Sequence, residues 1–230
     1  MSELYLVRHA QASFGAEQYD NLSPTGVDQS RLLGRFFADQ EIQFDGVVSG
    51  VMQRHRQTID ALRELAIGED IREQMHPGLN EYDFRAMMRV YGDTYPTDEL
   101  VAAVAASPDD RKTYFRLLRR VLTAWSESRL DGAPESWASF QERVADARSM
   151  LQGMAKQSKR VLVVSSGGAI SMFVGSVLGL SPGHIFDLNL QILNTSITRF
   201  FFDASKISLA EFNAAPHLLG RDQAHFRTYS

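Results

Sequence analysis

The chain has 230 residues, of which 44% are hydrophobic and 23% are charged, with a formal net charge of -4. This composition is typical of a globular protein and excludes a disordered or fibrous chain, while the acidic balance excludes a general attraction to nucleic acid or to an anionic membrane. Because the sequence contains no cysteine, disulfides and thiolate metal sites are excluded, and we expect a cytoplasmic protein with a small-molecule partner.

The first part of the chain alternates between strand and helix patterns. Residues 4–7 form an apolar run that ends abruptly in polar residues, as a buried parallel strand does at the edge of a sheet. A helix is predicted from Pro24, with Ser23 as its N-cap. Residues 44–49 then predict a second strand, and residues 53–65 predict its following helix. This βαβα order indicates a parallel sheet.

The middle of the chain departs from this alternation. Residues 82–139 combine aromatic loops with a long amphipathic helix, and we interpret them as an insertion within a single domain that spans residues 1–230. Loops inserted at the C-terminal edge of a parallel sheet overhang the crevice in which ligands bind. We therefore expect the insertion to shape the choice of substrate.

The alternation then resumes. A helix is predicted over residues 137–157, a strand over 160–164 and another helix after the turn 165–168; strands at 195–202 and 208–213 follow, the last at an edge. The predicted fold class is α/β, with a mostly parallel sheet flanked by helices on both faces in three α/β/α layers. The helical insertion is expected to lie over the C-terminal edge of this sheet.

The residues Arg8 and His9 directly follow the first predicted strand. A histidine that attacks phosphorus must be neutral and oriented, and the phosphoryl oxygens need cations already in place. Taken alone, the pair is better explained as a surface arginine and a structural histidine. Residues 49–58 add Arg54 and Arg56 at a helix start, where backbone N–H groups also favour an anion. Arg54 is the better candidate ligand, although both arginines could simply be solvated.

Glu81 lies in an apolar and aromatic setting that suits a general acid acting on a leaving oxygen, although a lone glutamate is usually only a surface residue. The histidines outside the Arg-His segments have no spacing typical of a metal site. We therefore assign no metal and no cofactor. A structural role is favoured for His217.

Several motifs together resemble the histidine phosphatase superfamily, also called the phosphoglycerate mutase-like family, in the same order and through nearly the whole chain. They are Arg8-His9-Ala10 and the segments 22–29, 49–58, 135–144, 161–168, 194–196 and 213–218, with Glu81 at the position of the family's acid.

The resemblance implies a role for each matching residue. His9 becomes the phosphohistidine, Arg8 and Arg54 bind the phosphoryl oxygens, and Glu81 protonates the leaving group. Gln11 and Ser13, just after the signature, are then expected near the substrate, although the asparagine of many family members is not evident at this place.

Two positions depart from the family pattern. Ala10 replaces the glycine of the signature, and Ser166 stands where a second, phosphate-binding histidine is expected. A serine hydroxyl can donate a hydrogen bond to a phosphoryl oxygen, but it cannot supply a positive charge. The backbone N–H groups of the turn at Gly167-Gly168, or the side chains of His55 or Arg56, are candidates to compensate.

The leading hypothesis is therefore a metal-free phosphatase that hydrolyses phosphomonoesters through phospho-His9, with activity reduced by Ser166. The alternative is a regulatory protein that binds phosphate or a small phosphorylated molecule and has lost turnover. A mutase is less favoured. A serine hydrolase with Ser166 as its nucleophile is disfavoured, because Val164 occupies the first glycine position of the Gly-X-Ser-X-Gly elbow. The oligomeric state is left open, with a homodimer as one option.

Overall fold

The computed structural model describes residues 2–13, 20–68 and 70–229. The described strands form a six-stranded sheet with the spatial order β3-β2-β4-β1-β5-β6. The strands are β1 (Ser2–Arg8), β2 (Gly46–Ser49), β3 (Glu73–Met75), β4 (Arg160–Ser165), β5 (Ile197–Phe202) and β6 (Ile207–Ala214).

Four neighbouring strands, β1 to β4, pair in parallel, whereas β5 runs antiparallel to β1 and β6 antiparallel to β5. The prediction of a mostly parallel sheet is confirmed. Arg8 is paired with Ser165, and Ser49 is paired with Val164, so the carboxyl ends of β1, β2 and β4 lie side by side. Ligands bind at such an edge of an open α/β sheet.

Helices cover both faces of the sheet. They are α1 (Pro24–Asp39), α2 (Gln53–Ala66), α3 (Phe84–Thr94), α4 (Glu99–Ala106), α5 (Arg111–Ser126), α6 (Trp137–Met154), α7 (Gly167–Leu178) and α8 (Pro182–Asn189). The start of α1 is the predicted one, because the Ser23 hydroxyl accepts a hydrogen bond from the Gly26 amide at 3.1 Å. Among the described residues, no helix is long and apolar enough to cross a membrane.

Alternate residues of β1 enter two separate cores. Tyr5 and Val7 belong to a core that includes residues of α1 and α2, whereas Leu4 and Leu6 pack with residues of α5, α6 and α7. This alternation follows from the period of two along a strand, which sends successive side chains to opposite faces. The three-layer prediction is therefore confirmed, with α1 and α2 on one face.

The insertion is more helical than the sequence pattern indicated. Its predicted long helix corresponds to α5, but two further helices, α3 and α4, precede it. Each begins with an aspartate N-cap: the Asp83 carboxylate accepts from the Ala86 amide, and the Asp98 carboxylate accepts from the Leu100 amide. Strand β3 was not predicted either, because its three residues, Glu-Gln-Met, carry no apolar alternation.

Candidate active site

A cavity of about 460 Å³ opens at the carboxyl end of the parallel strands. Its inner part is lined by four charged or ionisable side chains that the sequence singled out, Arg8, His9, Arg54 and Glu81. Arg8 ends β1, and His9 follows it directly. Arg54 lies in the first turn of α2, and Glu81 lies in the loop before α3. The fold thus brings together residues that are up to 73 positions apart in the sequence, from Arg8 to Glu81.

The imidazole of His9 is buried and held in one tautomer. Its Nδ1 lies 2.7 Å from the carbonyl oxygen of Ala10, which can only accept, so Nδ1 carries the proton. Its Nε2 accepts a hydrogen bond from Nε of Arg54 at 3.1 Å. Burial and the positive charges of Arg54 and Arg8 hold the pKa of His9 well below its usual value. The result is a neutral imidazole whose Nε2 lone pair faces a cation.

Arg54 is oriented by both a helix and a carboxylate. It lies in the first turn of α2, and its Nη1 forms an ion pair with Asp20 at 2.7 Å. The other carboxylate oxygen of Asp20 accepts a hydrogen bond from the Gln53 amide at 2.7 Å, so Asp20 serves as an anion at this helix N-terminus. Asp20 was not predicted from the sequence, because no local pattern links it to Arg54.

Arg8 is held by backbone carbonyl groups from two distant segments. Its Nη1 donates to the carbonyl of Ile192 at 2.5 Å and to that of Tyr229 at 3.0 Å. The segment around Tyr229 is itself fixed, because the Thr228 hydroxyl donates to Asn194 at 2.9 Å while the Asn194 amide nitrogen donates to the carbonyl of His9 at 3.0 Å. The C-terminal segment therefore forms part of the site, which the sequence did not predict.

Glu81 lies over the start of α7. One carboxylate oxygen accepts a hydrogen bond from the Gly168 amide at 3.2 Å. A Cβ on Gly168 would lie 2.1 Å from the other oxygen and 2.4 Å from the ring of Tyr82, so only glycine permits this approach. The amide of Gly168, which the sequence analysis considered for phosphate binding, is thus occupied by Glu81. The Tyr82 hydroxyl is fixed in turn by Asn189 at 2.8 Å.

The predicted substrate-binding residues differ in their placement. Gln11 lines the cavity, and its side-chain oxygen accepts from the Ser23 hydroxyl at 2.9 Å. Ser166 and Gly167 are buried and are not part of its lining. Ser13 is half-buried and also lies outside the lining; it directly precedes residues 14–19, which are outside the described part of the chain.

The two candidates for compensating the missing histidine lie in different places. Arg56 is exposed on α2 and lines a second pocket together with Asp60. His9 does not line that pocket. His55 is fully buried, and its ring centroid is 5.5 Å from that of His9. Burial and the charge of Arg54 lower the pKa of His55 to about 3, so its ring is neutral at neutral pH.

The outer wall of the cavity is mostly apolar and comes from the insertion. Phe84 of α3 and the α5 residues Tyr114, Phe115 and Leu118 line it, together with Leu190. Its two charged side chains, Asp109 and Arg111, have opposite signs. The insertion therefore covers the carboxyl edge of the sheet, as predicted, and presents aromatic surface to whatever occupies the cavity.

Comparisons with known proteins agree with this architecture. The family model of the histidine phosphatase superfamily (branch 1) matches residues 4–215. A search of curated protein sequences finds no match.

Among solved structures, a phosphoserine phosphatase mutant from Entamoeba histolytica in complex with phosphoserine superposes with a TM-score of 0.66 at 19% identity, covering 95% of this chain and 100% of that one. A phosphoglycerate mutase from Bacillus anthracis gives a TM-score of 0.65 at 18% identity, with 94% of each chain covered. A mycobacterial glucosyl-3-phosphoglycerate phosphatase gives 0.63 at 19% identity, covering 94% of this chain and 100% of that one. At these identities the structural likeness shows the fold alone, whereas the family model matches most of the chain. The chain therefore belongs to the histidine phosphatase superfamily, branch 1.

Proposed function

We propose that this protein is a phosphatase that hydrolyses a phosphomonoester through a phosphohistidine on His9. The observation that carries this proposal is the hydrogen bonding of His9, whose protonated Nδ1 is tied to Ala10 while its unprotonated Nε2 faces the Arg54 guanidinium at 3.1 Å. A nucleophilic imidazole needs that tautomer, and a phosphoryl group needs that cation.

The reaction follows from the placement of the charged groups. Nε2 of His9 gives up the hydrogen bond from Arg54 and forms a bond to phosphorus as the bond from phosphorus to the leaving oxygen breaks, and Glu81 gives a proton to that oxygen. Arg8 and Arg54 stabilise the charge on the phosphoryl oxygens. Water then attacks phosphorus, Glu81 takes a proton from it, and the P–N bond breaks to regenerate His9.

The outer wall supports a preference for apolar or aromatic leaving groups. A phosphoryl group fills only the inner part of the cavity, and the remaining surface is formed by side chains such as Phe84 and Phe115. An apolar leaving group gains roughly 25 cal/mol for each Å² of apolar surface that it buries there. We therefore propose small aryl or other apolar phosphomonoesters as the substrate class.

A regulatory protein that binds a phosphorylated ligand without turnover is the alternative. It is motivated by Ser166, which leaves the pocket without the second imidazole that the family resemblance expects. Removing one preorganised donor typically costs about 10²–10³ in rate, which weakens a phosphatase without abolishing it. The presence of His9, Arg54 and Glu81 around one cavity favours the enzyme.

The hydrogen bond between Ser166 and His55, at 2.7 Å, gives a serine hydrolase some support, since a histidine beside a serine can act as its base. Against it, Ser166 is fully buried and outside the cavity lining, so an ester carbonyl has no route to its hydroxyl. Labelling by an active-site serine reagent tests this reading. We expect none.

The test of the phosphatase proposal is phosphate release from a panel of aryl, alkyl and sugar phosphomonoesters without added metal. Purified wild type is compared with His9→Ala and with the control His184→Ala, which removes an exposed histidine outside the cavity lining. We expect turnover by wild type and by the control alone, together with a phosphorylated peptide that contains His9 after rapid quenching. Equal release by His9→Ala removes His9 from the mechanism, and ligand binding with no release by wild type favours the regulatory alternative.

A further inference from the structure

A second imidazole flanks His9, although the sequence has serine where the family resemblance places it. The rings of His9 and His55 are 5.5 Å apart between centroids and are inclined at 41°. Both side chains are buried. His55 reaches this place from the first turn of α2, whereas Ser166 lies at the end of β4. The flanking imidazole thus comes from a different element than the resemblance predicts.

Ser166 holds the imidazole of His55 in place. The serine Oγ lies 2.7 Å from Nε2 of His55. Ser166 is the N-cap residue of α7, yet its side chain makes no capping hydrogen bond to that helix. The hydroxyl is directed to His55 instead. Serine at position 166 is short enough to leave room for a ring that arrives from α2.

The proton on His55 follows from its surroundings. Nδ1 lies against Gly50, where a Cβ would come within 2.2 Å of it, and the ring has a hydrogen-bonding partner in the Gly50 backbone. We assign the ring proton to Nδ1, because the hydrogen bond with the Gly50 backbone favours a proton on that side of the ring and a backbone carbonyl can only accept. Nε2 is then unprotonated, so the Ser166 hydroxyl donates a hydrogen bond to it at 2.7 Å.

The pair closes a ring of contacts around the nucleophile. Arg54 and His55 are consecutive in α2; the first contacts Nε2 of His9 at 3.1 Å and the second contacts Ser166 at 2.7 Å. The backbone completes the ring, because the His9 amide donates to the carbonyl of Ser165 at 2.8 Å. The bond between His55 and Ser166 thereby fixes the start of α2 against the end of β4, and with it the guanidinium of Arg54 against His9.

We propose that His55 and Ser166 form a positioning pair for His9, and that together they replace the single imidazole that the family resemblance expects at position 166. His55 acts through Ser166 and through the placement of Arg54, not by contact with the substrate. The inference rests on the proposed function, since such positioning matters only if His9 accepts a phosphoryl group. It implies that a histidine at position 166, combined with a small residue at position 55, would position His9 in the same way.

The first test compares His55→Ala with wild type on 4-nitrophenyl phosphate. A displacement of about 1 Å at a reacting group can cost about 100-fold in rate, so we expect kcat to fall by about 10- to 100-fold with a smaller change in KM. His55→Gln, whose side-chain amide can still form a hydrogen bond with the Ser166 hydroxyl, is expected to retain most of kcat. Wild-type kcat in His55→Ala overturns the proposal.

A matched control separates positioning from stability. His217 is also buried, and its Nε2 pairs with the Thr195 hydroxyl at 2.9 Å, but it does not line the cavity. We expect His55→Ala and His217→Ala both to lower the thermal unfolding midpoint, and only His55→Ala to lower kcat per folded molecule. An equal loss of kcat in both variants assigns the effect of His55 to stability and overturns the proposal.

The second test exchanges the two positions. Ser166→His alone places a second ring where His55 already lies, so we expect it to lose activity. The double variant His55→Ala with Ser166→His is expected to regain activity above both single variants. A double variant no more active than the better of the two single variants contradicts the proposed equivalence. A failure of the proposed function can be distinguished from a failure of the positioning proposal, because wild type itself then releases no phosphate and forms no phospho-His9.

Discussion

Replacing Gly168 by alanine is expected to remove the proton donor from the reaction while leaving the nucleophile in place. The new Cβ would lie 2.1 Å from Oε1 of Glu81 and 2.4 Å from Cε1 of Tyr82. Ordinary van der Waals contact needs more than an ångström of additional separation from each, so the Glu81 carboxylate must move.

The expected magnitude depends on the leaving group. General acid catalysis contributes about 10²–10⁴ in rate, so an alkyl phosphate, whose alkoxide needs a proton as it leaves, is expected to lose about 100-fold or more in kcat with Gly168→Ala. 4-Nitrophenyl phosphate releases a stable phenolate and needs little protonation. Its kcat is expected to change far less.

The assay is therefore the ratio of the two kcat values in wild type, in Gly168→Ala and in a control. Gly153→Ala in α6 is that control, because its Cβ would meet nothing within 4 Å. We expect the ratio to be unchanged in Gly153→Ala. An equal loss on both substrates in Gly168→Ala, or no loss on either, refutes the assignment of Glu81 as the acid.

Three further predictions concern other parts of the molecule. Phe115→Ala removes aromatic surface from the outer wall, and we expect KM for aryl phosphates to rise about tenfold while KM for short alkyl phosphates stays unchanged; equal changes contradict the proposed substrate class. Asp20→Asn removes the anion that pairs with Arg54, and the inhibition constant of inorganic phosphate is expected to fall, as product-inhibition kinetics can measure; an unchanged constant contradicts it. Burial lowers the pKa of His217 to about 4, below the usual 6.5, so the unfolded chain binds more protons between these values. The free energy of unfolding should therefore fall by roughly 3 kcal/mol from this residue as the pH falls from 6.5 to about 4, and denaturant titrations should show a shallower fall for His217→Gln.

Much of the fold follows from local patterns. The apolar run before Arg8 predicts a buried strand, and the sequence from Ser23 through Pro24 predicts the start of α1 with its cap, because both signals depend on neighbouring residues only. Polar residues at strand ends also indicate where His9 and Arg54 lie, since parallel strands end at one edge of the sheet. By contrast, β3 depends on pairing with β2, and its own three residues give no signal.

The sequence by itself determined the α/β class, the order of the elements and the four charged residues at the inner end of the cavity. Only the tertiary structure decided what each of them contacts. The carboxylate of Asp20 at Arg54, the carbonyl of Tyr229 at Arg8 and the imidazole of His55 beside His9 come from segments that meet through packing. Periodicity and capping are properties of adjacent residues, whereas these contacts depend on how helices and distant loops settle on the sheet. Ser166 illustrates both points. The sequence predicted its place directly after β4, and only the tertiary structure showed its hydrogen bond with His55.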